Sequence, residues 1–416
     1  MKVLQINKFL YGGAGAETVM FRTADLLRTH GHEVSFFAMQ DPRNVPCAES
    51  HYFPRGRYYG EQHGVLRQAQ SAAASIYSID ARRSLRRLIR DQRPDIAHLH
   101  NIYHQLTLSI VDELVAQGIP IVMTVHDFKP VCPSYLAYTE HAPCRRCVTG
   151  HPGHVIAHRC IKDSLAASTV AAAEALFTRT RRLYHRIDAF IVPSKHRVEV
   201  LVEGGLPGDR MHLIPNFVAD EQFGKLDGSL KARSPMVLFV GRLEEAKGIN
   251  VLLAAARRVA AEIEVVVVGQ GPLERDVQDA HRDGAVSYLG SRDWNEIAGL
   301  MDRACALVIP SLCEENCPMV VLEAGARGCP VIASDRGGLT ELVSDGEDGL
   351  LFPADDICAL TEALNLIVSN KALRDRLSVA RFTRTIEHNT TRTHYDSLLH
   401  VYNHIVMARK EHIENR

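Results

Sequence analysis

Tryptophan occurs once in this 416-residue chain, and an apolar run of the roughly 18 residues that a bilayer crossing needs does not occur at all. A membrane-spanning helix is therefore not expected. Excess charge of one sign is also missing: 48 basic residues face 49 acidic ones, so no global field recommends nucleic acid as a partner. The opening residues Met1-Lys2-Val3-Leu4-Gln5-Ile6-Asn7 read as a short strand and lack the apolar stretch of a secretory signal. Ten cysteines are present without an even ladder of spacings, which favours a reducing compartment over a disulfide scaffold. A cytoplasmic protein is the expectation. No Asp-x-Asp occurs, so a catalytic metal held by that motif is not expected.

What the chain does have is alternation. Strand-like runs at 3–6, 33–38, 95–99, 119–125, 189–192 and 211–214 are separated by helical patterns, which predicts a parallel sheet covered on both faces. The stretch 216–235, with Gly224, Gly228, Ser229 and Ser234 and few apolar residues, reads as a boundary. Strand patterns then resume at 236–240, 264–268, 286–289, 305–309, 330–334 and 349–352. The length suits two α/β domains, and no sequence repeat links the halves. The expected division is 1–215, including an irregular cysteine-bearing loop over 130–161, then 216–390, then a closing helix over 391–416.

In the first half, Tyr11-Gly12-Gly13-Ala14-Gly15-Ala16-Glu17 precedes a helical pattern over 18–27. Gly13 and Gly15 permit a tight turn and a close backbone approach to a ligand, although a bare turn fits as well. The helical stretch 77–93 carries Arg82, Arg83, Arg86, Arg87, Arg90 and Arg93 around Leu85, Leu88 and Ile89. A solvated face accounts for it, with peripheral contact at the inner membrane face as the alternative. Arg179, Arg181, Arg182 and Arg186 repeat the theme. His98 and His100 share one face of a strand and read as structural. His126 lies just past a buried strand, where open α/β sheets meet their ligands. Cys144 and Cys147 form a C-x2-C knuckle flanked by Cys132 and Cys160, which predicts a closed structural zinc site. His141, His151, His154 and His158 are substitute ligands, and four reduced thiols in a variable loop are the alternative.

The densest chemistry follows the apolar run 304–309, in Pro310-Ser311-Leu312-Cys313-Glu314-Glu315-Asn316-Cys317-Pro318-Met319-Val320-Val321-Leu322-Glu323-Ala324. Pro318 suits the first turn of a helix, whose free N–H groups and positive dipole end suit a phosphate. Glu315 in the loop and Glu323 in the second helical turn can accept hydrogen bonds from sugar hydroxyls. In Gly241-Arg242-Leu243-Glu244-Glu245-Ala246-Lys247-Gly248, the cations Arg242 and Lys247 stand between a strand and a helix, as a diphosphate requires. Gly337-Gly338 offers another close backbone approach. Surface salt bridges and a solvated helix face are the bland counterparts of these readings.

Gly12-Gly13, residues 95–101 and 124–127, Pro193-Ser194, Ile214-Pro215-Asn216, Gly241-Arg242 with Lys247-Gly248, the Glu-x7-Glu of Glu315 and Glu323, and Gly337-Gly338 together resemble the retaining nucleotide-sugar glycosyltransferases of family 4. The resemblance covers nearly the whole chain, and Glu-x7-Glu with Arg and Lys is its most specific part. The cysteine-bearing segment with Val131-Cys132-Pro133 is similar to relatives that build bacterial surface polysaccharides. Many relatives carry Gly-Phe-Gly after the first Glu, whereas Asn316-Cys317-Pro318 stands here, with no N–H at Pro318.

The resemblance implies a GT-B fold: two doubly wound, Rossmann-like domains facing across a cleft, with the closing helix crossing back to the first. It implies an acceptor-binding first domain and a donor-binding second one. Glu323 would hold the ribose and Glu315 a hydroxyl of the donor sugar, while Arg242 and Lys247 would clamp the diphosphate. Backbone at Gly13, Gly15, Gly241, Asn316, Cys317, Val320 and Val321 would line the nucleotide, and His126 would meet the sugar ring. The donor would be a nucleotide diphosphate sugar carrying UDP or GDP, the acceptor a saccharide or a lipid-linked one, and no catalytic cofactor would be needed. Two other classes stay open. A nucleotide-sugar epimerase would demand an acid–base set beyond His126, and a non-catalytic binding protein would hold donor without turnover.

Overall fold

The apolar runs become strands buried on both faces, as continuous Val, Ile and Leu sequences require. In chain order the strands are β1 (Lys2–Ile6), β2 (Glu33–Phe37), β3 (Ile96–Leu99), β4 (Ile121–Thr124), β5 (Tyr138–Thr139), β6 (Ala142–Pro143), β7 (Ala189–Val192), β8 (Met211–Leu213), β9 (Met236–Val240), β10 (Glu264–Val268), β11 (Ser287–Gly290), β12 (Ala306–Ile309), β13 (Val331–Ser334) and β14 (Gly349–Phe352). They are seen in a computed structural model that describes residues 1–13, 15–56, 65–225 and 233–414. Ala14 of the glycine turn and Gly228 and Ser229 of the expected linker lie outside the described residues.

The chain divides into two units. One is Met1–Ala137 with Cys144–Ile214 and Tyr395–Arg416, and the other is Tyr138–Pro143 with Pro215–His394. Each contains a six-stranded sheet, ordered β2-β1-β3-β4-β7-β8 in the first and β11-β10-β9-β12-β13-β14 in the second. All pairings within these two sheets are parallel. The strand order reverses at β1/β3 in one and at β9/β12 in the other. Ligands of open α/β sheets settle beyond the carboxyl ends of strands at such reversals. The antiparallel β5–β6 pair was not expected, because two-residue strands carry no periodicity.

Alternation places successive residues on opposite faces. In the first unit Leu4, Ala97 and Met123 join one apolar cluster, while Val3, Ile96 and Val122 join another. The helix Thr391–Glu414 covers the second cluster with Leu398, Val401, Tyr402 and Ile405. Its start is fixed by Tyr395, whose hydroxyl lies 2.8 Å from His32 Nε2 and whose ring stacks on His30.

The basic helix Ile79–Gln92 is capped by Ser78, whose hydroxyl accepts from Ala81 N–H. Two of its arginines serve packing: Arg82 and Arg86 donate to the buried carboxylate of Glu113, with Nε–O distances of 2.9 and 2.7 Å. Arg83, Arg87 and Arg90 are exposed. Arg186 pairs with Asp112 at 2.5 Å, and Arg179 donates to the carbonyls of Gly150, Val131 and Cys147. Four of these ten arginines, Arg82, Arg86, Arg179 and Arg186, therefore hold loops and helices in place.

The zinc site expected from Cys132, Cys144, Cys147 and Cys160 lacks a ligand set. Among the described residues no three His, Cys, Asp or Glu side chains are placed to hold a metal ion. Cys147 is buried against Val155 and Ala172, and its thiol lies 3.9 Å from the Pro152 carbonyl. Burial first, and then the neighbouring Cys132, push it up to about 12, which keeps it protonated. Cys132 Sγ lies 3.2 Å from Ser134 Oγ. The segment is held instead by Arg179 and this small apolar cluster.

Hydrogen bonds from Arg86, opposed by burial and joined by Arg82, hold Glu113 down at about 2, against an ordinary 4.5. A depressed carboxylate stabilises the fold above its unfolded pKa, and the contribution disappears as pH falls through the folded value. Glu113→Gln should therefore lose about 1–2 kcal/mol at neutral pH, the half-exposed arginines being screened by solvent. The difference from wild type should close between pH 4.5 and 2, as read from urea midpoints.

Candidate active site

At the reversal of the second sheet, β9 and β12 run side by side, and the loops after them meet. After β9 the chain makes a short turn, Glu245–Lys247, and enters the helix Ile249–Ala256 through Gly248 at φ 70°. A Cβ on Gly248 would stand 1.7 Å from the Pro310 carbonyl oxygen, so only glycine allows this approach. The β12 loop is sewn to the same turn by Leu312 and Cys313 N–H, which both donate to the Ala246 carbonyl at 2.9 and 3.1 Å.

Two side chains then converge on one oxygen. Lys247 Nζ lies 2.7 Å from Glu315 Oε1, and Ser311 Oγ donates to that oxygen at 2.6 Å. The Ser311 carbonyl accepts from Ser334 Oγ at 2.7 Å, tying the loop to the end of β13. Gly338 N–H donates to the Glu315 carbonyl at 2.8 Å, and a Cβ on Gly338 would meet the Asn316 carbonyl oxygen at 1.8 Å. Burial opposes the charge on Lys247, but Glu315 outweighs it and raises the lysine above its ordinary range. Its side chain keeps 31% exposure, so the ammonium is part-buried yet reachable.

The helix Met319–Ala326 begins beside this pair. Pro318 caps it in an extended conformation and supplies no side-chain acceptor. Val321 N–H is taken by the Pro318 carbonyl, whereas among the described residues no acceptor takes Met319 or Val320 N–H. That is a helix start open to an anion. Glu323 is half-buried on the same helix, in its second turn. Cys317 is buried, its carbonyl accepts from Asn216 Nδ2 at 2.8 Å, and burial pushes its thiol up to about 12, which disqualifies it as a nucleophile.

Other expected residues fall differently. Arg242 is 69% exposed and pairs with Glu244 at 3.3 Å, not with Glu315. Gly241 packs against Gly269, whose added Cβ would stand 1.8 Å from the Gly241 carbonyl oxygen. In the first unit Gly13, at φ 154°, and Gly15, which opens the helix Gly15–Thr29, face open space. His126 is half-buried, and its Nε2 lies 2.9 Å from His100 Nδ1. Burial, followed by the Lys8 charge, holds it at about 3, so the imidazole is neutral.

Two family models match. One, described as Glycosyltransferase Family 4, covers residues 13–222, and one described as Glycosyl transferases group 1 covers residues 234–370. The chain belongs to glycosyltransferase family 4. Alpha-maltose-1-phosphate synthase from Mycolicibacterium smegmatis is 26% identical over 405 residues, 91% of this chain and 92% of its own. Phosphatidyl-myo-inositol mannosyltransferase from the same organism is 26% identical over 374 residues, 86% of this chain and 82% of its own. Among solved structures, sucrose-phosphate synthase from Thermosynechococcus elongatus aligns with TM-score 0.72 and 20% identity, covering 98% of this chain and 99% of that one. HepE of Anabaena, solved with UDP and glucose, aligns with TM-score 0.67 and 17% identity, covering 97% and 99%. The fold of this family 4 glycosyltransferase is GT-B.

Three supporting residues, two in the second unit and one in the first, were not singled out by sequence reasoning. Ser311 and Ser334 support Glu315, and the only available signal was their position at strand ends. Gln5 sits in a strand whose alternation turns it toward His100, a partner 95 positions away that no local pattern reveals. Gly248→Ala should force the Lys247 turn away from Pro310 and cost about 2–3 kcal/mol by urea denaturation, more than Ala at an open glycine such as Gly12.

Proposed function

We propose that this glycosyltransferase is a retaining enzyme that moves a sugar from a nucleotide diphosphate sugar to a hydroxyl of a saccharide or lipid-linked acceptor, in polysaccharide or glycolipid assembly. The observation that carries the reading is the Lys247–Glu315 contact of 2.7 Å at the β9/β12 reversal, beside a helix start with open N–H groups. A part-buried cation there suits a diphosphate, and its acid partner suits the hydroxyls of the attached sugar.

Lys247 and the Met319 and Val320 N–H groups would take the charge that grows on the diphosphate as it leaves. Arg242 supplies a second cation once it lets go of Glu244. Glu315 would orient the sugar ring and Glu323 the ribose, while His126 is the sugar-facing group of the first unit. Departure of the diphosphate gives the anomeric carbon oxocarbenium character. A diphosphate oxygen takes the acceptor's proton as the new bond forms on the same face. No protein nucleophile is needed, and no metal either, since cations and helix dipole already balance the diphosphate. The UDP and glucose held by HepE support a donor of this class.

Arg83, Arg87 and Arg90, three and four positions apart and exposed on one helix, support peripheral contact with an anionic lipid surface and hence a lipid-linked acceptor. The triple Arg→Gln variant should sediment with vesicles containing phosphatidylglycerol several-fold less than wild type. Equal sedimentation would remove the membrane from this reading.

Lys247→Ala should lower turnover about 10²–10³-fold with little change in melting temperature. Near-normal turnover would refute the clamp. Uridine, guanosine and adenosine diphosphates should raise the melting temperature of wild type unequally, naming the base. NMR of the product's anomeric proton decides retention, and donor isomerised without acceptor would favour the epimerase class instead.

A further inference from the structure

At the strand-order reversal of the first sheet, three imidazoles form a stack. His98 and His100 have centroids 4.5 Å apart, and His100 and His126 have centroids 5.2 Å apart. The first is anchored on both nitrogens, by Tyr402 OH at 2.6 Å and Thr124 Oγ1 at 2.7 Å, which explains why it is structural. The other two form a directed chain. Gln5 Oε1 lies 2.8 Å from His100 Nε2, and His100 Nδ1 lies 2.9 Å from His126 Nε2.

The chain has a sense. A carbonyl oxygen can only accept, so His100 Nε2 carries the proton. His100 is fully buried, which disfavours the imidazolium, so its Nδ1 holds a lone pair. That lone pair accepts from His126, whose Nε2 must then be the protonated nitrogen. His126 is itself neutral, and so its Nδ1 keeps a lone pair, to which no hydrogen bond is made among the described residues.

We propose that Gln5 and His100 are positioning residues: they lock His126 in the Nε2–H tautomer and present its Nδ1 as a hydrogen-bond acceptor for a substrate hydroxyl. The inference rests on the sugar-facing assignment of His126. It adds that His126 accepts and does not donate, and that a buried glutamine inside β1 decides this. The opposite tautomer would place an N–H at the same point, which donates to a hydroxyl oxygen and can no longer accept its proton.

The test uses the full chain labelled with ¹⁵N-histidine, with the His126 signals assigned by their loss in His126→Gln. Long-range ¹H–¹⁵N spectra of wild type should show a protonated Nε2 and an unprotonated Nδ1 at His126. Gln5→Leu should convert that signal to a tautomer mixture and lower kcat about tenfold, with KM changed less than twofold. Gln5→Glu, which keeps the acceptor oxygen, should restore the single tautomer. A protonated Nδ1 in wild type, or an unchanged His126 signal in Gln5→Leu, overturns the proposal. Should Gln5→Leu not fold, the wild-type spectrum decides by itself. Spectra as expected together with undiminished turnover in His126→Gln would overturn only the sugar-facing assignment, leaving the tautomer chain established.

Discussion

The close approach of Gly248 to the Pro310 carbonyl is the constraint on which the second unit's site depends. It brings the turn after β9 against the loop after β12 with no side chain between them. Only at that separation can the Ala246 carbonyl hold two N–H groups of the neighbouring loop, and only then does Lys247 reach Glu315. The cation and the acid come from strands that are adjacent in the sheet but 68 residues apart in the chain. Their juxtaposition is a product of topology: the order β9-β12 at the reversal puts two unrelated loops in one place.

The two units solve the problem of presenting polar groups in opposite ways. The second keeps a charged pair, with one oxygen of Glu315 held by both an ammonium and a hydroxyl. In the first, the imidazoles near the β1/β3 reversal are neutral, since burial holds both His126 and His104 at about 3. Charge is useful where a diphosphate must be gripped. Neutral imidazole is useful where direction of a hydrogen bond matters more than field. Asp127, pushed up by burial although Lys129 N–H and nearby cations oppose it, belongs to the same low-polarity neighbourhood.

Much of this was legible in the residues themselves. β10 is four valines after Glu264 and β12 is Ala-Leu-Val-Ile, apolar runs of strand length rich in β-branched residues. Lys247 and Glu315 were legible because each sits just past such a run. Arg82 and Arg86 were not, because a guanidinium looks the same in sequence whether it meets water or the buried Glu113. The cysteine segment misled for a related reason: C-x2-C spacing is compatible with ligation, but burial and Arg179 give the same loop order without an ion. The pairing of Arg242 with Glu244 was not legible either, because a motif gives a residue's place in the chain and not its partner.

The helix over Val3, Ile96 and Val122 has a consequence for how this protein is made. Its residues from Tyr395 onward are translated after the entire second unit, yet Leu398, Val401, Tyr402 and Ile405 complete the apolar layer of the first. A nascent chain that has emerged as far as Ile214 therefore carries an uncovered greasy sheet face and must keep it from other chains for the time needed to polymerise some hundred and eighty further residues. Fragment expression of the first unit alone meets the same hazard, and supplying the late helix in trans is the natural remedy.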